Sequence, residues 1–290
     1  MMNKLFLKIL LVFVLIYSNN LFSQNYQLKI DTVVTKKTKI ITIVTLRTVP
    51  KFILHFNGGY NSGAMELTSH NGGFSRQDLL EGKTFGVRNG FGFNLIGKIP
   101  INKTGKFWID IVTGFDRFKS NMIASNDQEG EVAYNSINGG VGMEYNFTPT
   151  HKVKYFIGAN TLISSISGSS RLMNTQDNNV ISVDIKSGIR LGYSVFVGLE
   201  YAFARNIGLN LGFKFTHANL LMKDTEVGEQ IPEGSTHFET HLNDDPIPTG
   251  DDPVLFAGWK QFAYYSGSVG ISYFFGVKEK KYRLPDKILK

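Results

Sequence analysis

The chain has 290 residues, no cysteine, a formal net charge of +7, 30 glycines, 23 phenylalanines and 12 tyrosines. The lack of cysteine excludes disulfides, thiolate metal sites and an amino-terminal lipid-modified cysteine. The modest positive charge concentrates near the two ends, so a nucleic-acid-binding surface is not expected. Abundant glycine and aromatic residues favour strands and tight bends over helices.

Residues 1–23 have the parts of a secretory signal peptide. Two lysines form a basic segment, Leu5 to Tyr17 form an apolar segment, and Ser23 offers a small residue for cleavage. A signal-anchor helix is less favoured because the apolar segment is shorter than the ~20 residues of a membrane-spanning helix. No later apolar run reaches that length, so helical membrane spans are not expected.

Residues 24–51 follow the signal peptide. They contain two β-rich runs on either side of the sequence TKKTK. This arrangement predicts a small hairpin, because strand-forming runs separated by a short turn sequence tend to pair. A periplasmic arm is the alternative, and the sequence leaves both open.

Alternation of apolar and polar residues predicts eight β-strands from residue 52 onwards. In 205–217, every second residue from Ile207 to Phe215 is apolar, and the residues between them are small or polar. A period of two indicates a strand with one apolar and one polar face. The predicted strands are 52–60, 84–97, 106–118, 132–147, 152–167, 183–203, 205–220 and 259–275.

The polar faces of these strands consist mainly of glycine, serine and asparagine, with isolated charges. Small polar residues suit a narrow interior, and large aromatic residues on the other face suit lipid. A soluble barrel of the lipocalin type is the main alternative, but its water-facing side would be rich in long lysine, glutamate and glutamine side chains. A membrane barrel is therefore favoured.

The predicted links between strands alternate in length. The links near 98–105, 148–151 and 203–205 are short, whereas 61–83, 119–131, 168–182 and 221–258 are long and polar. Short periplasmic turns and long extracellular loops are typical of bacterial outer-membrane barrels.

The resemblance of this chain to a known protein family rests on its architecture and on strand segments such as GLNLGFKF and GSVGISYFFG. Over about residues 52–276 it resembles the small eight-stranded outer-membrane β-barrel family, of the OmpA/OmpX-like and PorT-like kind. The resemblance implies an all-β fold: a monomeric, eight-stranded antiparallel transmembrane β-barrel in the cell outer membrane, in contact with outer-membrane lipid. Envelope or secretion proteins are candidate partners, and no cofactor is implied. Residues 277–290 form a basic periplasmic tail, a departure from barrels that end in an aromatic residue.

Ionisable side chains of both signs are predicted to face the lumen. An eight-stranded barrel is just wide enough for side chains to fill it. Because buried charges need partners, a lumen charge network is favoured, and a gated narrow ion path is the alternative. The predicted network consists of His55, Arg88, Asp110, Asp116, Glu144, Lys154, Lys186, Arg190, Glu200 and Lys214.

The long link after the seventh strand is acidic and contains no lysine or arginine between residues 224 and 252. Clustered carboxylates can bind calcium, but the spacing matches no EF-hand, so a solvated acidic surface loop is favoured. The sequence HFETH, with His237 and His241, matches neither HExxH nor HxxEH, and no metal site is predicted there. The acidic residues are Asp224, Glu226, Glu229, Glu233, Glu239, Asp244, Asp245, Asp251 and Asp252.

Function is expected to depend on the surface loops, because fold alone does not choose it. The favoured function is a structural or interaction protein of the cell envelope, with a narrow pore as the alternative. A lipid-modifying enzyme is the second alternative, with Ser69, His70 and His217 as candidate groups. No acid is clearly placed to orient either histidine, so the sequence predicts a protein that is not an enzyme.

Overall fold

In the computed structural model, the described residues are 43–68, 84–124, 128–174, 180–223, 237–242 and 261–283. The chain divides into two units, Val49–Val277 and a unit formed by the two ends of the chain. The described residues include no helix with the length and hydropathy to cross a membrane. The predicted signal peptide at 1–23 lies outside the described residues and stays a prediction.

Eleven strands occur in the described residues. Eight of them, β2 to β8 and β10, each pair with two neighbours in antiparallel fashion, and the pairing of β6 with β7 closes the ring. The predicted eight-stranded antiparallel barrel is therefore confirmed. In chain order the strands are β1 (Ile43–Arg47), β2 (Phe52–Ala64), β3 (Asn89–Pro100), β4 (Phe107–Ala124), β5 (Gln128–Asn146), β6 (Val153–Asn174), β7 (Val180–Tyr201), β8 (Ile207–Leu221), β9 (His237–His241), β10 (Ala263–Phe275) and β11 (Glu279–Arg283).

Two of the four predicted long loops are mostly strand. The strands β4 and β5 continue to Ala124 and from Gln128, and β6 and β7 continue to Asn174 and from Val180. The predicted loops at 119–131 and 168–182 are therefore wrong in extent. Beyond the lipid both faces of a strand meet polar surroundings, so the apolar alternation that marks a membrane strand is lost while the hydrogen-bonded ladder continues.

The short strand β9 pairs in parallel with residues 182–186 of β7. The expectation of a loop for HFETH is wrong. The β7–β8 pairing ends at Leu191 and Leu221, which leaves the edge of β7 open towards its start. Strand β9 covers this edge and provides partners for backbone groups that would otherwise lack them.

The outward side chains of the barrel are large, apolar and unburied by protein. Ile137 is 61% exposed, Val141 60% and Phe56 59%, and similar residues occupy the outward positions of all eight strands. The inward positions carry the buried asparagine, serine and charged residues. A water-soluble barrel would have the opposite arrangement, so this apolar band faces lipid.

The second unit contains a two-stranded antiparallel sheet in which β1 pairs with β11, from Ile43 with Arg283 to Arg47 with Glu279. Residues 279–283 were expected to belong to a basic tail, and they form a strand because the run IVTLR of β1 offers it a backbone partner. The remainder of the predicted hairpin or arm, residues 24–42, lies outside the described residues.

Candidate functional site

The lumen is the candidate site, and apolar side chains close its end nearest the short turns. We call this group the turn-side cluster. Trp108 is 1% exposed and its indole Nε1–H donates to Gly105 O at 2.7 Å, so its polar atom is satisfied inside the apolar group. The turn-side cluster consists of Val49, Ile53, Trp108, Ala202, Phe274 and Val277.

A larger apolar group closes the opposite end, and we call it the loop-side cluster. Its centre is Phe262, whose ring lies 5.5 Å from the rings of Phe85 and Phe118 and 5.8 Å from the ring of Tyr134. Phe85 and Val87 were predicted to continue a lipid-facing strand, but residues 84–88 leave the strand pattern and turn inward. The loop-side cluster consists of Leu67, Phe85, Val87, Phe118, Val132, Tyr134, Ile166, Ala218, Leu242, Phe262 and Tyr264.

An ionic layer lies above the turn-side cluster. Glu200 accepts hydrogen bonds from Lys154 Nζ at 2.6 Å and from His55 Nε2 at 2.8 Å, and all three side chains are buried. Lys98 donates to Glu144 across the intervening strand β4, and both are buried. Four of these five groups were predicted from the sequence, and Lys98 was missed.

Asp116 is the centre of a second polar group, next to the loop-side cluster. It is fully buried and accepts hydrogen bonds from Asn61 at 2.7 Å, Asn138 at 2.9 Å and the Tyr264 hydroxyl at 2.6 Å. Ser164 in turn donates to Asn138 Oδ1 at 2.6 Å. Because these donors come from β2, β5, β6 and β10, the group joins opposite walls of the barrel.

Between the two polar groups lies a cavity of only about 50 Å³. Lys214 Nζ donates to Asn94 Oδ1 at 3.3 Å across it, and Asn210 donates to Ser272 Oγ at 3.1 Å. The cavity provides room for ordered water, since a water molecule occupies about 30 Å³ of the liquid. It is too small for a metabolite-sized ligand.

Glycines on the lumen face allow large side chains of the neighbouring strand to lie across them. Gly142 pairs with Asn160, and a Cβ added at Gly142 would overlap Asn160 Oδ1. Gly92 stands in the same relation to Asp116. The abundance of glycine thus serves lumen packing as well as turns.

Two of the predicted lumen residues lie outside the buried network. Arg88 is exposed because it precedes β3 at the barrel rim, and Lys186 is 51% exposed because it lies on the part of β7 that extends beyond the pairing with β8. Their prediction as lumen charges is wrong. Asp110 and Arg190 are buried, and the Lys214 side chain is partly buried.

The predicted acidic loop lies mostly outside the described residues, and Glu239 is the member whose position the structure gives. It lies on β9 and pairs with Lys186 at 2.6 Å, and this hydrogen bond lowers the pKa of Glu239. His237 lies 3.7 Å from Asp184. Among the described residues no three acidic or histidine side chains converge on a metal position.

Of the groups considered for catalysis, His217 lies within the described residues. It is 5% exposed, its ring centroid lies 5.7 Å from that of Tyr193, and its Nε2 has no hydrogen-bond partner among the described residues. Ser69 and His70 lie outside the described residues.

No protein-family model matches the chain, and no curated protein matches it either. Among solved structures it is similar to neisserial surface protein A, with 14% sequence identity and a TM-score of 0.40 over 78% of this chain and 97% of that chain. It is also similar to the attachment invasion locus protein Ail of Yersinia pestis, with 9% identity and a TM-score of 0.34 over 80% of this chain and 99% of that chain. For OprG from Pseudomonas aeruginosa the identity is 9% and the TM-score 0.38, over 82% of this chain and 98% of that chain.

The class of this protein is assigned from the architecture of its ring of strands. A closed ring leaves no unpaired strand edge in lipid, which is a condition for any β-structure that spans a bilayer. The ring has an even number of antiparallel strands, an apolar outer band and a polar interior, as outer-membrane barrels have. The chain is an eight-stranded outer-membrane β-barrel.

Proposed function

We propose that this barrel is a structural or interaction protein of the cell envelope, which presents the extended ends of its strands and the loops between them at the cell surface. The observation that carries the proposal is the combination of a lumen closed at both ends with strands much longer than a bilayer requires. We infer that it acts as a monomer and performs no catalysis.

The closed lumen argues against a role in solute passage. The loop-side cluster and the turn-side cluster fill the two ends, and ion pairs and amide hydrogen bonds fill the space between them. An ion crossing this lumen would have to displace mainly apolar side chains, whose few polar atoms, on Trp108, Tyr134 and Tyr264, cannot replace its hydration shell. The narrow pore remains the alternative function, and it requires both clusters to open.

The long strands argue for a role at the surface. Strands β6 and β7 have 22 residues each. At about 3.3 Å per residue and a tilt of about 45°, such a strand spans about 50 Å along the membrane normal. The apolar band of such barrels is only about 25 Å tall, so close to half of the β6–β7 hairpin projects beyond it.

Planar-bilayer recording separates the two functions. The full-length barrel is expected to give no discrete conductance, and Phe262→Ala is expected to increase leakage only slightly because the turn-side cluster stays closed. Discrete, salt-dependent channels from the unmodified protein would overturn the proposal. In cells, replacing residues 168–184 by a short turn should abolish partner contact while heat-modifiable gel mobility shows that the barrel still folds.

A further inference from the structure

Three exposed arginines lie on or beside β3, β4 and β6, and their side chains have no partner among the described residues. Arg88 precedes β3 and its backbone N–H donates to Ser120 Oγ of β4 at 3.0 Å, so it lies beside β4. Arg117 is on β4 and Arg171 on β6, and all three side chains are exposed. Within the described part of the chain, none of their guanidinium groups forms an ion pair or a hydrogen bond. We call these three residues the arginine set.

Two exposed carboxylates lie near them. Glu131 is neutralised by Lys119 at 2.9 Å, whereas Asp184, across the β6–β7 ladder from Ser169, lies 3.7 Å from His237, which is charged only when protonated. Among the described residues of this wall, the three arginines therefore outnumber the one carboxylate that lacks a permanently charged partner. Arginine is suited to phosphate because its planar guanidinium is weakly hydrated and presents several donors at once.

The position of Arg117 shows at which level of the membrane the arginine set lies. On the outward face of β4 it directly follows Phe115, and its partner across the β3–β4 ladder is Phe91, which is 49% exposed. Phe91 and Phe115 belong to the lipid-facing apolar band. Arg117 therefore lies where that band ends, at the level of the lipid headgroups.

The surface between Arg117 and Arg171 is formed by small side chains. Arg117 pairs with Asn135, which pairs in turn with Ser167 of β6, and Ser169 is the next outward residue before Arg171. Glu131, the partner of Arg171 across the β5–β6 ladder, is paired with Lys119, and the small side chains of the floor leave both guanidinium groups open to a headgroup.

We propose that the arginine set binds the phosphate groups of a phosphorylated glycolipid of the outer leaflet. The charge of a lipid phosphate is complementary to the set, and the lipid reaches Arg117 from within the same leaflet that contacts Phe91. This proposal is independent of the partner that the projecting hairpin binds.

The test uses the full-length barrel folded in phosphatidylcholine nanodiscs, with bound lipid counted by native mass spectrometry. The probes are lipid A with two phosphates and the same lipid A after removal of both phosphates. The variant is Arg88→Gln/Arg117→Gln/Arg171→Gln. The matched control is Lys103→Gln/Lys106→Gln/Lys152→Gln, which removes the same charge from exposed residues on the short-turn side.

The native barrel should bind diphosphorylated lipid A about tenfold more tightly than the dephosphorylated lipid, as expected for several exposed charge contacts. The arginine variant should lose this preference, and the lysine variant should keep it. Equal binding of the two lipids, or equal losses in both variants, would overturn the proposal. Full competition by inorganic phosphate at the concentration of the lipid would also overturn it, because the arginines would then recognise phosphate without lipid.

Discussion

Replacement of Gly142 by alanine tests whether lumen glycines are required by their neighbours. An added Cβ would overlap Asn160 Oδ1 and the backbone oxygen of Ala159, and it would lie 2.7 Å from Asn160 Cα. The overlap with backbone atoms means that β6 itself must move. Overpacking of this kind costs about 1–3 kcal/mol in the free energy of unfolding.

Gly139 provides the matched control on the same strand. It belongs to the outward face of β5, and an added Cβ would meet nothing within 4 Å. Gly139→Ala should therefore leave stability unchanged or raise it by about 0.4–1 kcal/mol, because alanine restricts the unfolded chain.

Urea unfolding of the barrel in lipid vesicles, followed by tryptophan fluorescence, measures both variants. Adding Asn160→Ala to Gly142→Ala should recover part of the loss, since it removes one of the two overlaps. A loss below about 0.5 kcal/mol for Gly142→Ala, the range of ordinary surface changes, would refute the reasoning. Equal effects of Gly142→Ala and Gly139→Ala would refute it as well.

Three further predictions concern the polar groups. Glu200→Gln should destabilise the barrel by about 3–5 kcal/mol in the same urea assay because it leaves the buried Lys154 cation without its carboxylate, whereas Lys119→Gln, at an exposed pair, should cost at most about 1 kcal/mol. Asp116→Ala should cost about 1–3 kcal/mol for each buried donor that it leaves unsatisfied, and an unchanged urea midpoint would contradict the role given to this group. The hydrogen bond from Lys186 lowers the pKa of Glu239, so the ion pair is present above the usual glutamate pKa and is lost as the pH falls through the lowered value. NMR titration of Glu239 should show this lowered pKa. Lys186→Gln should return the pKa of Glu239 to its usual range.

The alternation of the sequence was sufficient to predict the ring of strands, because lipid and lumen make opposite demands on neighbouring residues. For a related reason, the same alternation wrongly placed Phe85 and Val87 on the lipid-facing side of a strand. An apolar residue that contacts lipid and one that contacts the loop-side cluster look the same in a single strand. Only the chain direction at 84–88, which the sequence does not specify, separates them.

The sequence predicted that charged side chains form a network in the lumen, but it did not predict which of them pair. Lys98 was missed because it is the first residue of the predicted link KIPINKTG, where a lysine is expected to be solvated. Its partner Glu144 is on β5, which is separated from β3 by β4, so the pairing of adjacent strands does not predict this contact. Asp116 was predicted to face the lumen, but its donors Asn61 and Tyr264 come from distant strands and had no detectable signal.

The crossed pairs of glycine and aromatic residues on β6 and β7 have a consequence for how the barrel assembles. Phe156 pairs with Gly198, and Phe196 pairs with Gly158. A slip of two residues would keep every side chain on its proper face, so lipid offers no discrimination against it. In one direction this slip would place Phe156 opposite Phe196, and in the other direction it would place Gly158 opposite Gly198. These four residues therefore select the correct strand register during insertion, a choice that the apolar band cannot make.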